Sequence, residues 1–229
     1  MNKVITESIV LSRLNYGESD RIITVITKDH GKLHLIAKGS RKIKSKLAAG
    51  IELFSISEIA FIKGKGEIDT LISARGIEYY TSIATNLESV KLAYEILKSI
   101  DKNTEDNSGS EYYLLLKNTL NIINQLKYDN LEINNYFFSQ IIKLGGFTPN
   151  LYTDENDEAL NIDSKYNFDL NNMTFIAGTS GRFDSNTIKY LRILFSDHPE
   201  KVFSINKTDL NLSVINNLIQ SMFKRHLSV

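Results

Sequence analysis

The chain has 229 residues and a mass of 26.0 kDa, enough for one large or two small domains, and it contains no cysteine, which excludes disulfides, thiolate nucleophiles and thiolate metal sites. Cations and carboxylates balance at 27 each, yet residues 1–80 hold 13 Lys/Arg against 9 Asp/Glu and the remainder 14 against 18, so only the front of the chain suits a polyanion. No apolar run approaches the ~20 residues of a membrane span, and the amino terminus lacks a signal-peptide core, so the expectation is a cytoplasmic protein without membrane contact.

The first 80 residues read as β-structure. Val4 to Leu14 is rich in β-branched and aliphatic residues, and Asn15 to Asp20 supplies turn formers. Arg21 to Lys28 forms a second strand, with Ile23 and Val25 alternating against Thr24. Asp29-His30-Gly31-Lys32 is a hairpin signal, and Lys32 to Lys38 returns as a third strand. From Lys38 to Lys46 the chain reads Lys-Gly-Ser-Arg-Lys-Ile-Lys-Ser-Lys, five cations in nine residues with no carboxylate among them. Like charges at this density stay in solvent or meet a polyanion, so the segment is expected to be a flexible cationic loop between strands. Ile51 to Ile62 is a long fourth strand whose alternation slips near Ser57 and Glu58, as a bulge in a small barrel would require. Gly64-Lys65-Gly66 turns the chain, and Glu67 to Ile77 is the fifth strand. Five such strands in about 80 residues suit an OB-type Greek-key barrel, with an SH3-like barrel as the competing assignment.

From Ser82 the apolar period becomes helical. Ile83, Leu87, Val90, Tyr94 and Leu97 fall on one face of a first helix, with Thr85 and Glu88 as a capping box. A polar linker over Asp101 to Ser110 precedes a helix from about Glu111 to Lys127, which buries Tyr113, Leu116, Leu120 and Ile123. A third helix from about Leu131 carries Phe137, Ile141 and Leu144 and stops at Gly145-Gly146. Asn150 to Thr174 is polar and irregular. Asp184 or Ser185 caps a helix bearing Ile188, Leu191 and Phe195, and a last helix after Asp209 carries Ile215, Leu218, Ile219 and Met222. The fold class is therefore α+β and multidomain: a barrel over residues 1–80, then an α-helical domain over 81–229 with an irregular insert at about 147–182.

Catalytic chemistry finds no foothold. The Gly64-Lys65-Gly66 pattern lacks a third glycine and leads into a strand, and no Walker A spacing occurs. His30 and His34 straddle a predicted hairpin, where a spacing of four does not align two rings. Asp154, Glu155, Asp157 and Glu158 form an acidic loop expected to be solvated, although a nuclease using this loop with magnesium stands as a distant alternative. The expectation is a non-enzyme with no cofactor and no metal. A cationic barrel can instead track phosphates, with rings stacking on bases. Arg13, Arg21, Lys28, Lys32, Lys38, Arg41, Lys42, Lys44, Lys46, Lys63 and Lys65 supply charge. Tyr16, Phe54, Phe61, Tyr79 and Tyr80 supply few rings, of which Tyr16 is the best placed for exposure. Many cations with few rings favour phosphate-dominated, sequence-independent binding.

Tyr16-Gly17-Glu18-Ser19-Asp20-Arg21, Thr27 to Gly31, Ala37 to Lys42 and Lys44-Ser45-Lys46-Leu47 resemble the amino-terminal domain of the RecO family of bacterial recombination mediators. Gly145-Gly146-Phe147-Thr148-Pro149-Asn150-Leu151 is similar to that family's entry into its central module. The resemblance implies a protein of DNA repair and recombination that binds single- and double-stranded DNA and anneals complementary strands. It implies help in loading RecA onto DNA coated by single-stranded-DNA-binding protein, whose acidic tail is a partner, together with RecR and often RecF. It places DNA contacts on Arg21, Lys38, Arg41, Lys42, Lys44 and Lys46, to which the residue-level reading adds Lys32, Lys63, Lys65 and Tyr16, and it implies a nucleoid-associated location. Many relatives carry two Cys-x-x-Cys pairs holding zinc, whereas Asp154 and Asp157 stand near the first pair here. A zinc-free module held by packing is therefore expected. The alternative from another class is a non-catalytic scaffold whose barrel organises a protein complex, with incidental nucleic-acid contact.

Overall fold

A computed structural model describes residues 3–106, 109–178 and 180–227. Asn107 and Ser108 of the expected linker and Thr179 of the expected insert lie outside the described residues. The chain divides into two compact units, Met1–Lys127 and Tyr128–Val229.

The first unit opens with β1 (Lys3–Tyr16), β2 (Asp20–Thr27), β3 (Gly31–Ala37), β4 (Ser55–Ile62) and β5 (Ile68–Tyr79). They close into a barrel in the order β1-β2-β3-β5-β4, with β3 and β5 parallel and all other pairs antiparallel. This is the OB order, and it decides against the SH3-like assignment. β1 serves two partners: Lys3 to Ile9 pairs with β4, and Ser8 to Tyr16 pairs with β2. Leu11 is the extra residue between the Val10–Val25 and Ser12–Thr24 pairs, and this bulge bends β1 from one neighbour to the other. The irregularity expected near Ser57 is present, but the unpaired residues belong to β5. Ile77 lies opposite the Ile56/Ser57 step, and Ile72 opposite Ala60/Phe61. β4 is also shorter than expected, because Ala49–Ile51 forms a 3-10 turn and Phe54 adopts φ 57°.

Val10, Ile23, Val25, Leu35, Ile59, Phe61 and Leu71 fill the barrel. β2 is buried on both faces from Ile23 to Thr27: Ile23 and Val25 point inward, while Ile26, on the opposite face, is also fully buried. That outer cover comes from α2 (Ser110–Asn124), and α1 (Leu87–Asn103) packs on β1. The Tyr113 hydroxyl donates to the Glu7 carboxylate at 2.8 Å, and Lys32 Nζ donates to the Asp101 carbonyl at 2.8 Å. The compact unit that holds the barrel also includes both helices, to Lys127.

The expected face of α1 is only partly correct. Ile83–Thr85 is a separate 3-10 turn, and the helix begins at Leu87 with Asn86 as its cap, its side chain accepting from the Ser89 N–H. Ile83 is thus out of phase with the helix. Leu92, Ala93, Ile96, Leu97 and Ile100 are buried, while Leu87 and Tyr94 are exposed, Tyr94 lying edge-on to Phe54 at 5.2 Å.

The second unit holds α3 (Asn130–Leu144), β6 (Tyr166–Asp169), β7 (Thr174–Ala177), α4 (Ser185–Leu194) and α5 (Leu212–His226). α3 packs against α5, with Phe138 and Phe223 edge-on at 4.7 Å and the buried Asn135 accepting from Asn216 at 3.0 Å. The segment expected to be irregular contains the antiparallel β6–β7 hairpin. Phe175, fully buried, makes ring contacts with Tyr166, Phe168 and Phe183 at 6.0, 5.1 and 6.0 Å. Aromatic packing organises this stretch. No helix of the described residues is long and apolar enough to cross a membrane.

Candidate nucleic-acid interface

The basic segment leaves the end of β3 at Ala37, opposite Arg21 of β2. It is not the open flexible loop expected from its charge. Lys42 N–H donates to the Gly39 carbonyl, Ser45 N–H to Lys42 and Gly50 N–H to Leu47, at 2.9 to 3.1 Å, winding the chain into successive tight turns. Gly39 takes φ 66°, a left-handed conformation that opens the first turn and favours glycine. Ser40 is buried beneath the turns, and Leu47 packs against the barrel core.

The winding is anchored on the β1–β2 turn. Asp20 accepts the Gly39 N–H at 2.7 Å, the Arg41 N–H donates to the Ser19 carbonyl at 2.9 Å, and the Arg41 guanidinium donates to the Gly17 carbonyl at 3.2 Å. The Gly39 N–H holds the Asp20 carboxyl below its ordinary value, assisted by the Ser19 hydroxyl and the nearby Lys38 and Lys42 ammoniums, against a smaller opposing effect of desolvation. A single carboxylate thus steadies the base of a cationic turn without neutralising it.

Lys38, Arg41, Lys42, Lys44 and Lys46 are all exposed, and among the described residues none of them is in an ion pair. Tyr16, 53% exposed, ends β1 opposite Asp20, and Arg21 lies opposite both Asn15 and Ala37, its Nε donating to the Asn15 side chain at 3.4 Å. Tyr16, Arg21, Lys38, Arg41 and Lys42 therefore gather around the β1–β2 turn, and Lys44 and Lys46 continue from them along the loop.

The other candidates stand apart. Lys32 is committed to Asp101, its ammonium bonded to the carbonyl and 3.8 Å from the carboxylate. Lys63 and Lys65 are exposed in the β4–β5 turn, which follows Ile62 opposite Lys3, at the far end of β1 from Tyr16. Of the remaining rings, Phe61 and Tyr80 are buried, Phe54 is partly buried against Tyr94, and Tyr79 is exposed on β5. Arg13 is paired with Glu52 at 2.8 Å. The structural part played by Asp20 escaped the sequence reading, in which it was one turn former among several. The Gly39-Ser40 pair was the only signal that the loop turns sharply there.

Among the described residues no group of three or more His, Asp or Glu is placed to hold a metal ion. Asp154 is buried and accepts the N–H groups of Asn156 and Glu158 at 2.9 and 3.1 Å, the work of a turn-forming carboxylate.

Residues 1–80 match the family model described as Recombination protein O N terminal. Proteins named DNA repair protein RecO from Acetivibrio thermocellus, Bifidobacterium longum and a Thermoanaerobacter species are 33%, 32% and 33% identical to this chain over 150, 150 and 147 residues. These stretches take in 65%, 64% and 64% of this chain and 59%, 62% and 59% of the relatives, so the likeness spans about three fifths of the relatives' length. By its amino-terminal domain and by this set of relatives, the chain is similar to the RecO family.

Proposed function

We propose that the protein is a DNA repair and recombination mediator without catalytic turnover. It binds single- and double-stranded DNA through the cationic turns on its barrel, anneals complementary strands, and assists RecA loading onto DNA coated by single-stranded-DNA-binding protein. RecR and the acidic tail of that coating protein are its proposed partners, with RecA and RecF further along the same process, and it acts in the cytoplasm at the nucleoid. Residues 1–80 form the DNA-binding module and 81–229 the helical part available to protein partners. One observation carries the reading: five exposed cations, outside any ion pair among the described residues, stand on one wound loop beside Tyr16 and Arg21. The names of the relatives support it.

The physical account of annealing is screening. Two phosphate chains repel, and a surface that neutralises several phosphates on each lets complementary bases meet more often. The deciding experiment follows pairing of complementary oligonucleotides coated beforehand with the cognate single-stranded-DNA-binding protein. Pairing accelerated by the protein, and lost when Arg41, Lys42, Lys44 and Lys46 are changed to alanine, is the expected result. Unaccelerated pairing, with retention of protein partners, would assign the barrel to scaffolding instead.

A further inference from the structure

At the apex of the basic turns, Ile43 is fully exposed (105%), whereas every other exposed large apolar residue of the described structure keeps some cover, Leu14 and Leu87 at 65% and 68%. Its neighbours in sequence are Arg41 and Lys42 on one side and Lys44 and Lys46 on the other. The same loop shows that an apolar side chain can find shelter, since Leu47, four residues on, packs against the barrel core. Ile43 is held out by construction. The Lys42 carbonyl accepts the Ser45 N–H at 2.9 Å, closing a turn around Ile43 and Lys44 and fixing the direction in which the side chain stands.

We propose that Ile43 is a base-contacting wedge: the flanking cations seat the phosphates of an unpaired strand, and the aliphatic tip packs against the faces of its bases. This rests on the assignment of the loop to DNA. A cation attracts the phosphate chain alone, and on a single strand the apolar surface carried next to each phosphate is an unstacked base. Apolar side chains such as Ile also insert between base steps of bent duplexes, so aliphatic surface can pack on base faces. Charge also selects the occupant: with no carboxylate from Lys38 to Lys46, the tip can approach a polyanion without repulsion. The wedge supplies a preference for unpaired DNA that phosphate contacts alone lack.

The test compares the wild-type protein with Ile43→Ser and Ile43→Leu on three fluorescent probes: an oligothymidylate, an abasic strand of equal length and a blunt duplex. Ile43→Ser should bind oligothymidylate about three- to tenfold more weakly, the loss expected when one aliphatic side chain forfeits part of its burial. It should hold the abasic strand and the duplex as well as the wild type does, with an unchanged salt slope on each, and Ile43→Leu should restore the oligothymidylate affinity. Equal affinity of Ile43→Ser and wild type for oligothymidylate, or an equal loss on the abasic strand, would overturn the wedge while leaving the loop's attraction to DNA intact. A wild-type protein that binds none of the probes overturns both. Ile43-dependent capture by phosphatidylglycerol vesicles, with no difference between strands, would assign the tip to a membrane surface and likewise overturn the wedge.

Discussion

Replacing Arg41, Lys42, Lys44 and Lys46 together with alanine isolates the electrostatic core of the proposal. The five loop cations are exposed and free of ion pairs among the described residues, so each can neutralise one phosphate of a bound strand. For a single strand, five neutralised phosphates give a slope of about −3.5 in log affinity against log salt, hence roughly a hundredfold loss between 50 and 200 mM salt. The variant retains Lys38 alone in the loop, and its slope should flatten to about −0.7, a two- to threefold loss over the same range. Stability should change little, because of the four side chains only Arg41 makes a bond to the barrel, to the Gly17 carbonyl, and that bond is exposed. Fluorescence anisotropy of an oligothymidylate across a salt series, with thermal melting alongside, measures both quantities. A variant that folds normally and keeps the wild-type slope would show that the strand lies elsewhere, and the cationic turns would lose their assignment.

Four further outcomes follow from the packing. Asp20→Ala removes the acceptor of the Gly39 N–H, so trypsin should cleave after Arg41 and Lys42 several-fold faster than in the wild type; an unchanged cleavage rate would refute its anchoring role. Because the folded Asp20 carboxyl is held below its ordinary value, its contribution is complete above about pH 4 and is lost as pH falls through the lowered folded value. The wild-type loop should therefore become as susceptible as the Asp20→Ala loop only in acid, read with an acid-active protease, while Asp20→Ala lacks that transition. Gly50→Ala places a methyl group 2.5 Å from the Ala74 carbonyl carbon, a backbone clash that should cost about 1–3 kcal/mol and lower the melting temperature of the barrel unit, and unchanged melting would contradict the close approach. Phe175→Ala should cost the second unit about 3–5 kcal/mol, whereas a metal chelator should leave wild-type melting unchanged, and a chelator-induced drop would contradict a module held by aromatic packing.

The sequence alone determined the five strands, the cationic segment between the third and fourth, and the start of most helices, because alternation, charge runs and capping residues are local signals. Asp184, read as a cap from the sequence, accepts from the Thr187 N–H, whereas the structure adds Asp129 and Asn211 as the caps of the third and last helices. The tertiary structure decided the rest. Lys32, Lys38 and Lys63 are the same residue type in similarly basic surroundings, but strand register sends one to Asp101, one to the β1–β2 turn and one to the other end of β1. The β6–β7 hairpin stayed illegible because its strands are four residues each, too short to establish an alternation, and are held by rings brought together from Tyr166 to Phe183. The basic loop was legible as charge but not as shape, since its form depends on a carboxylate 19 positions away in the chain that only barrel closure brings to Gly39. Composition reports which groups are available, and pairing across the sheet determines which of them meet.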